Sequence, residues 1–233
     1  MAGSRAGIAV VTEVPEFLAE VPRDRIVHFK GFAVGKLPSR EYDEAILAEL
    51  AEAVGDHGVV AWDGDEFHES SFTRVLDEFL CASGVRSVAF YYRALEAAFL
   101  QSWETRARRY RGGLHLVLLD DLPTCPAGSE AGWLELGREA LRRTGAERVL
   151  AVGGGSVAAA EAAEEAGRVH WTLLRVPRAG DPCDFGALHA RAVQEAWPHV
   201  EVRAHDAELG RFRGGCKEER ELGRAASGGC ASL

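Results

Sequence analysis

The chain reads as an α/β protein, a Rossmann-like doubly wound fold with a mostly parallel sheet and helices on both faces. Three observations predict this. Short apolar, β-branched runs alternate with longer segments of helical period. Several runs are apolar at successive positions, as in Leu114–Leu119 (LHLVLL) and Arg148–Val152 (RVLAV), the pattern of strands covered on both faces. The alternation recurs along most of the chain, which calls for parallel strands joined by right-handed helical crossovers.

Candidate strands are Gly7–Val11, Arg25–Phe29, Gly58–Trp62, Ser87–Tyr91, Leu114–Leu119, Arg148–Val152, Val169–Val176 and His199–Arg203. Between them, Phe72, Val75, Leu76, Phe79 and Leu80 recur at helical spacing. Further stripes are Leu95, Phe99 and Trp103; Trp133, Leu136, Ala140 and Leu141; and Phe185, Leu188, Ala192 and Val193. Each is one apolar face with charges opposite, so these aromatics are read as core. No fixed-period repeat and no Pro/Ser-rich linker divides the chain. Residues 1–210 are expected to form one domain. From Arg211 onward the sequence turns polar and Gly-rich without an apolar face, so 211–233 is expected to be a flexible tail.

Composition narrows the function classes. The chain has 233 residues, 47% of them hydrophobic, enough for one sizeable core. No run approaches the ~20 apolar residues a bilayer requires. A net charge of −9 argues against general nucleic-acid binding, although a local basic pocket is compatible with it. All but three of the 27 basic residues are arginine, so only Lys30 and Lys36 are available for lysine chemistry before the tail. The five cysteines (Cys81, Cys125, Cys183, Cys216 and Cys230) form no CxxC or zinc spacing. Their odd number and wide spacing, with an N-terminus unlike a secretory signal, point to a reducing, cytoplasmic setting.

The most informative stretch runs from Val149 through Gly153-Gly154-Gly155-Ser156 into an Ala-rich helix. Glycine lets the backbone turn sharply and lets a ligand approach it. The helix that follows presents unpaired N–H groups and a partial positive charge to an anion. Ser156 can cap that helix or donate to a phosphate. Gly153, Gly155 and Ala158 satisfy G-x-G-x-x-G/A at a strand–turn–helix junction. The next strand ends Leu174-Arg175-Val176-Pro177-Arg178, without the usual acidic residue. Arg175 or Arg178 there suits a ribose 2′-phosphate, as in NADP, or no dinucleotide at all. The plain alternative is a tight corner that uses glycine for geometry alone.

This stretch resembles the GGGS turn of iron-dependent alcohol dehydrogenases, and Pro123–Gly145 resembles the segment preceding it there. The all-helical metal domain of that family has no counterpart in this chain, and its activity is not carried over. The turn is also similar to that of small Rossmann-like nucleotide-processing proteins.

Two pairs of carboxylates follow apolar strands: Asp63 and Asp65 in Trp62-Asp63-Gly64-Asp65, and Asp120-Asp121. Hard oxygen ligands of this kind suit Mg²⁺. In a parallel sheet both pairs and the glycine turn would face one edge, where ligands bind. His68, three residues after Asp65, is placed to serve as a general base with it. The Asp-Gly-Asp turn resembles motifs of haloacid-dehalogenase-like phosphatases and nucleotide-sugar glycosyltransferases. The first family needs a later lysine, and none occurs between Lys36 and Lys217. Asp is equally favoured in turns and helix starts. No P-loop and no G-x-S-x-G elbow is present.

The expectation is therefore a protein that binds a nucleotide or other phosphorylated small molecule at Gly153–Ser156. One alternative is metal-dependent phosphoryl or glycosyl transfer or hydrolysis at Asp63, Asp65 and His68, with Asp120 and Asp121 as further ligands. Another is a non-catalytic interaction domain. The final Cys230-Ala231-Ser232-Leu233 fits the spacing of a prenylation signal but has Ser232 at an aliphatic position, so an unmodified tail is expected.

Overall fold

The computed structural model describes residues 3–5, 7–31, 40–69, 71–120, 126–153, 156–165, 167–176 and 200–214. In chain order the strands are β1 (Gly3–Arg5), β2 (Ile8–Val11), β3 (Ile26–Lys30), β4 (Val59–Asp63), β5 (Arg86–Tyr92), β6 (Leu114–Leu119), β7 (Arg148–Val152), β8 (His170–Arg175), β9 (Val200–Asp206) and β10 (Arg211–Gly214). The α-helices are α1 (Asp43–Val54), α2 (Phe72–Ser83), α3 (Glu96–Ala107), α4 (Glu130–Thr144) and α5 (Ser156–Glu164).

All ten strands form one sheet in the order β1-β2-β6-β5-β4-β3-β7-β8-β9-β10. Every inner pairing is parallel, and only the edge strands β1 and β10 run antiparallel to their neighbours. The expected doubly wound α/β fold is what the chain forms. β10 occupies the first residues of the segment expected to be a tail, so the sheet extends past 210. The rest of that segment, with Cys230, and the stripe Phe185–Val193 lie outside the described residues.

The strands are apolar for the reason given by their burial. Val27 and Phe29, and Val59 to Trp62, are fully buried. Neighbouring residues of one strand point to opposite faces. Phe29 meets Phe72 of α2 at 5.7 Å between ring centroids, whereas Lys30 reaches Glu161 of α5 on the other face. Trp62 packs against Phe99 and Trp103 of α3. Both faces are thus covered, and alternation of polar and apolar positions has no role in most strands.

The helices follow their local chemistry. Ser71 caps α2 by accepting from Thr73 N, and the helix stops at Gly84 in a left-handed conformation (φ 70°). Ser129 caps α4, accepting from Gly132 N. α1 was not among the expected helices. It buries Ile46, Leu50 and Val54 on a narrow stripe. Among the described residues, no helix is long and apolar enough to cross a membrane.

The chain order creates one break. From β3 the chain moves by α1 to β4 on one side. From β7 it moves by α5 to β8 on the other. β3 and β7 are adjacent, so the crossovers leave in opposite directions, and the strand order reverses between these two strands, the place at whose carboxyl ends open α/β sheets take ligands.

Candidate functional site

A buried set of charges stands at that break. Lys30 is the last residue of β3 and is 7% exposed. Its ammonium donates to Asp63 Oδ2 at the end of β4 and, at 2.8 Å, to Glu161 Oε1 of α5. His28, on the same face of β3 two residues earlier, places Nε2 2.9 Å from Asp63 Oδ1. That contact has ion-pair distance without hydrogen-bond alignment, and His28 Nδ1 is buried with no hydrogen-bond partner.

The backbone makes room for this set. Gly137 of α4 lies directly over it. A Cβ at that position would fall 1.9 Å from Glu161 Oε1 and 2.8 Å from Lys30 Nζ. On the opposite flank, β7 is followed by Gly153, which adopts φ 64°, a left-handed conformation that favours glycine. Gly153 N donates to Leu174 O at 2.9 Å, tying this turn to the end of β8 beside Arg175.

The electrostatics follow from burial and pairing. Burial alone would lower the Lys30 pKa, but Asp63 and Glu161 outweigh it and hold the ammonium charged. Burial would raise Asp63, yet Lys30 and His28 hold its carboxyl well below the usual range. Burial dominates at Glu161 and pushes it up to about 7 despite Lys30. Burial likewise lowers His28, with Lys30 acting in the same direction. The centre therefore contains a firm Lys30–Asp63 pair, a neutral imidazole and a carboxyl that titrates near neutrality.

The expected site residues separate into groups. Asp63 sits at the break with both oxygens facing cationic or imidazole nitrogen. Asp65 turns elsewhere: its Oδ1 accepts from Glu66 N at 2.8 Å, and its carbonyl accepts from Trp103 Nε1 at 2.7 Å. Gly64 between them passes so close to β5 that a Cβ would lie 2.8 Å from Phe90 O. His68 is bound through its backbone to Ser71 and Thr73. Burial raises the pKa of Asp65, with the neighbouring His68 acting against it. Asp120 is exposed and paired with Arg93 at 2.7 Å. Among the described residues, no group of three or more His, Cys, Asp or Glu is arranged to hold a metal ion. Arg175 ends β8, next to Gly153. The side chain of Ser156, and Asp121, Gly154, Gly155 and Arg178, lie outside the described residues.

Sequence reasoning did not single out His28, Glu161 or Gly137, and named Lys30 only as an available lysine. One signal was present for two of them. In Ile26-Val27-His28-Phe29-Lys30 two polar residues alternate within a strand otherwise fit for full burial. A polar residue on the buried face of such a strand needs a partner there. His115 packs at half burial against Phe17, and His170 lies exposed with its Nε2 3.4 Å from Glu201.

Comparison with protein-family models, with curated proteins and with solved structures finds no match.

Proposed function

We propose that the chain binds a nucleotide or another phosphorylated small molecule in the crevice between the carboxyl ends of β3 and β7. The observation that carries this reading is the coincidence of three features at one strand-order reversal. They are the left-handed turn at Gly153, the start of α5 and the Lys30 ammonium. Open α/β sheets bind ligands at such reversals. A helix start after a glycine turn favours an anion. Arg175 ends β8 beside the turn. Asp63 is the most exposed member of the buried set at 22%, and it offers a carboxylate to ligand hydroxyls.

A thermal-shift panel of mono-, di- and triphosphate nucleosides, NAD and NADP, each with and without Mg²⁺, tests this reading. Binding should raise the melting temperature in proportion to RT ln(1 + [L]/Kd). The shift should be lost in Gly154→Val, placed within the glycine run. A shift seen only with Mg²⁺ would favour metal-assisted chemistry at Asp63. No shift with any phosphorylated compound would overturn the proposal.

A further inference from the structure

One ammonium, Lys30, is shared by two carboxylates that differ in what else holds them. Asp63 also faces His28 at 2.9 Å. Among the described residues, Glu161 has Lys30 as its one side-chain partner. Glu161 is also the deeper of the two, at 4% side-chain exposure against 22% for Asp63. Gly137 of α4 lies over it, where a Cβ would fall 1.9 Å from its Oε1. A buried carboxylate that loses its counter-ion becomes neutral.

Building on the ligand crevice proposed above, we infer that Glu161 is a displaceable counter-ion. An oxyanion of the ligand takes over the Lys30 ammonium, and Glu161 accepts one proton from solvent as it does so. Lys30 stays charged throughout, and Asp63 stays ionised against Lys30 and His28. The charge of the centre changes by the proton gained, which offsets part of the incoming negative charge. Glu161 thereby acts as a specificity residue: one incoming negative charge at the Lys30 end is matched by the one that Glu161 gives up. The charged groups that face Glu161 are Lys30 of β3, Asp63 of β4 and Glu164 of its own helix, the last held by Arg138 of α4 at 2.6 Å. Its carboxyl already titrates at about 7 with Lys30 in place. Loss of that partner can only move it upward.

Sulfate is a suitable probe, because it mimics a phosphate and does not itself titrate near neutrality. Calorimetric titration of the full chain in two buffers of different ionisation enthalpy reads protons taken up per sulfate bound. Uptake should be about half a proton near pH 7 and approach one near about pH 8, since more Glu161 is ionised beforehand at the higher pH. Glu161→Gln should retain saturable binding and abolish the uptake. Lys30→Met should abolish saturable binding. The wild-type pH profile decides the matter alone if either variant does not fold. Sulfate binding without proton uptake, or uptake that persists in Glu161→Gln, overturns the inference. Absence of saturable sulfate binding also overturns it. The nucleotide panel, which additionally reads contacts to base and ribose, then decides the crevice reading separately.

Discussion

Gly137→Ala should destabilise the protein, opposite to the usual effect of that change in a helix. In an exposed helix interior, alanine is better than glycine by about 1 kcal/mol. Gly137 is buried in the middle of α4, and its new Cβ would lie 1.9 Å from Glu161 Oε1. Either α4 lifts from the sheet or Glu161 leaves Lys30. Losing one partner of a buried pair costs about 3–5 kcal/mol. The lower figure applies here, because a carboxyl that titrates at about 7 can shed its charge. Subtracting the helix gain leaves a net loss of about 2 kcal/mol, or roughly 4–8 °C in melting temperature for a chain of this size. Urea unfolding followed by far-UV circular dichroism measures it through the midpoint at constant slope. The decisive arm is a Glu161→Ala background. There the carboxylate is gone and only the flexible end of Lys30, 2.8 Å from the new Cβ, has to shift, so Gly137→Ala should stabilise by about 1 kcal/mol. The two backgrounds should differ by about 3 kcal/mol, the coupling expected of residues in contact. A higher midpoint for Gly137→Ala in the wild-type background, or equal effects in both, would refute the reasoning.

Two further outcomes follow from the same geometry. Glu161 titrates at about 7 in the fold against a reference of 4.5, so between these values the native chain binds more protons than the unfolded one. Its contribution to stability therefore falls as pH rises through that window. Glu161→Gln should flatten the stability profile there, and an unchanged slope from about pH 5 to about pH 7 would contradict the assignment. Trp103→Phe keeps the aromatic packing against Trp62 and Phe99 but removes the donor to Asp65 O. The acceptor is partly buried, so leaving it unpaired costs about 1 kcal/mol, the low end of the range for buried groups; urea unfolding should show a loss of that size, and a change below about 0.5 kcal/mol would mean that the bond does not hold the Asp-Gly-Asp turn.

The layered fold was legible because parallel strands are nearly uniform in burial. Leu114–Leu119 and Arg148–Val152 begin and end where their apolar runs do. α1 was harder to read, since alanines and acidic residues surround its few large side chains and give it a weak stripe. β1 and β10 are short and antiparallel, and their pairing depends on which edge is left open by the other strands. Strand order was not legible at all, because a crossover's sequence does not state the side to which it travels. The site inherits that difficulty. Asp63 was marked by its place after an apolar strand, yet its partners, His28 and Lys30, come from β3. Glu161 is one acidic residue among several in an Ala-rich helix. Its role depends on how α5 packs against β3, a contact between positions 131 residues apart.

The reversal between β3 and β7 also sets the order in which the chain can assemble during synthesis. β3, β4, β5 and β6 pair with one another in sequence as they emerge, with α1, α2 and α3 arriving between them. The other edge of β3 has no partner until Arg148 and the rest of β7 follow, and the edge of β2 away from β1 has none until Leu114. An apolar strand edge thus stays open on the ribosome for much of translation, the state most prone to pairing with another chain. Long-range parallel pairing is slow even in a complete chain. Expression yield should therefore depend on translation speed and chaperone supply more steeply than equilibrium stability alone would indicate.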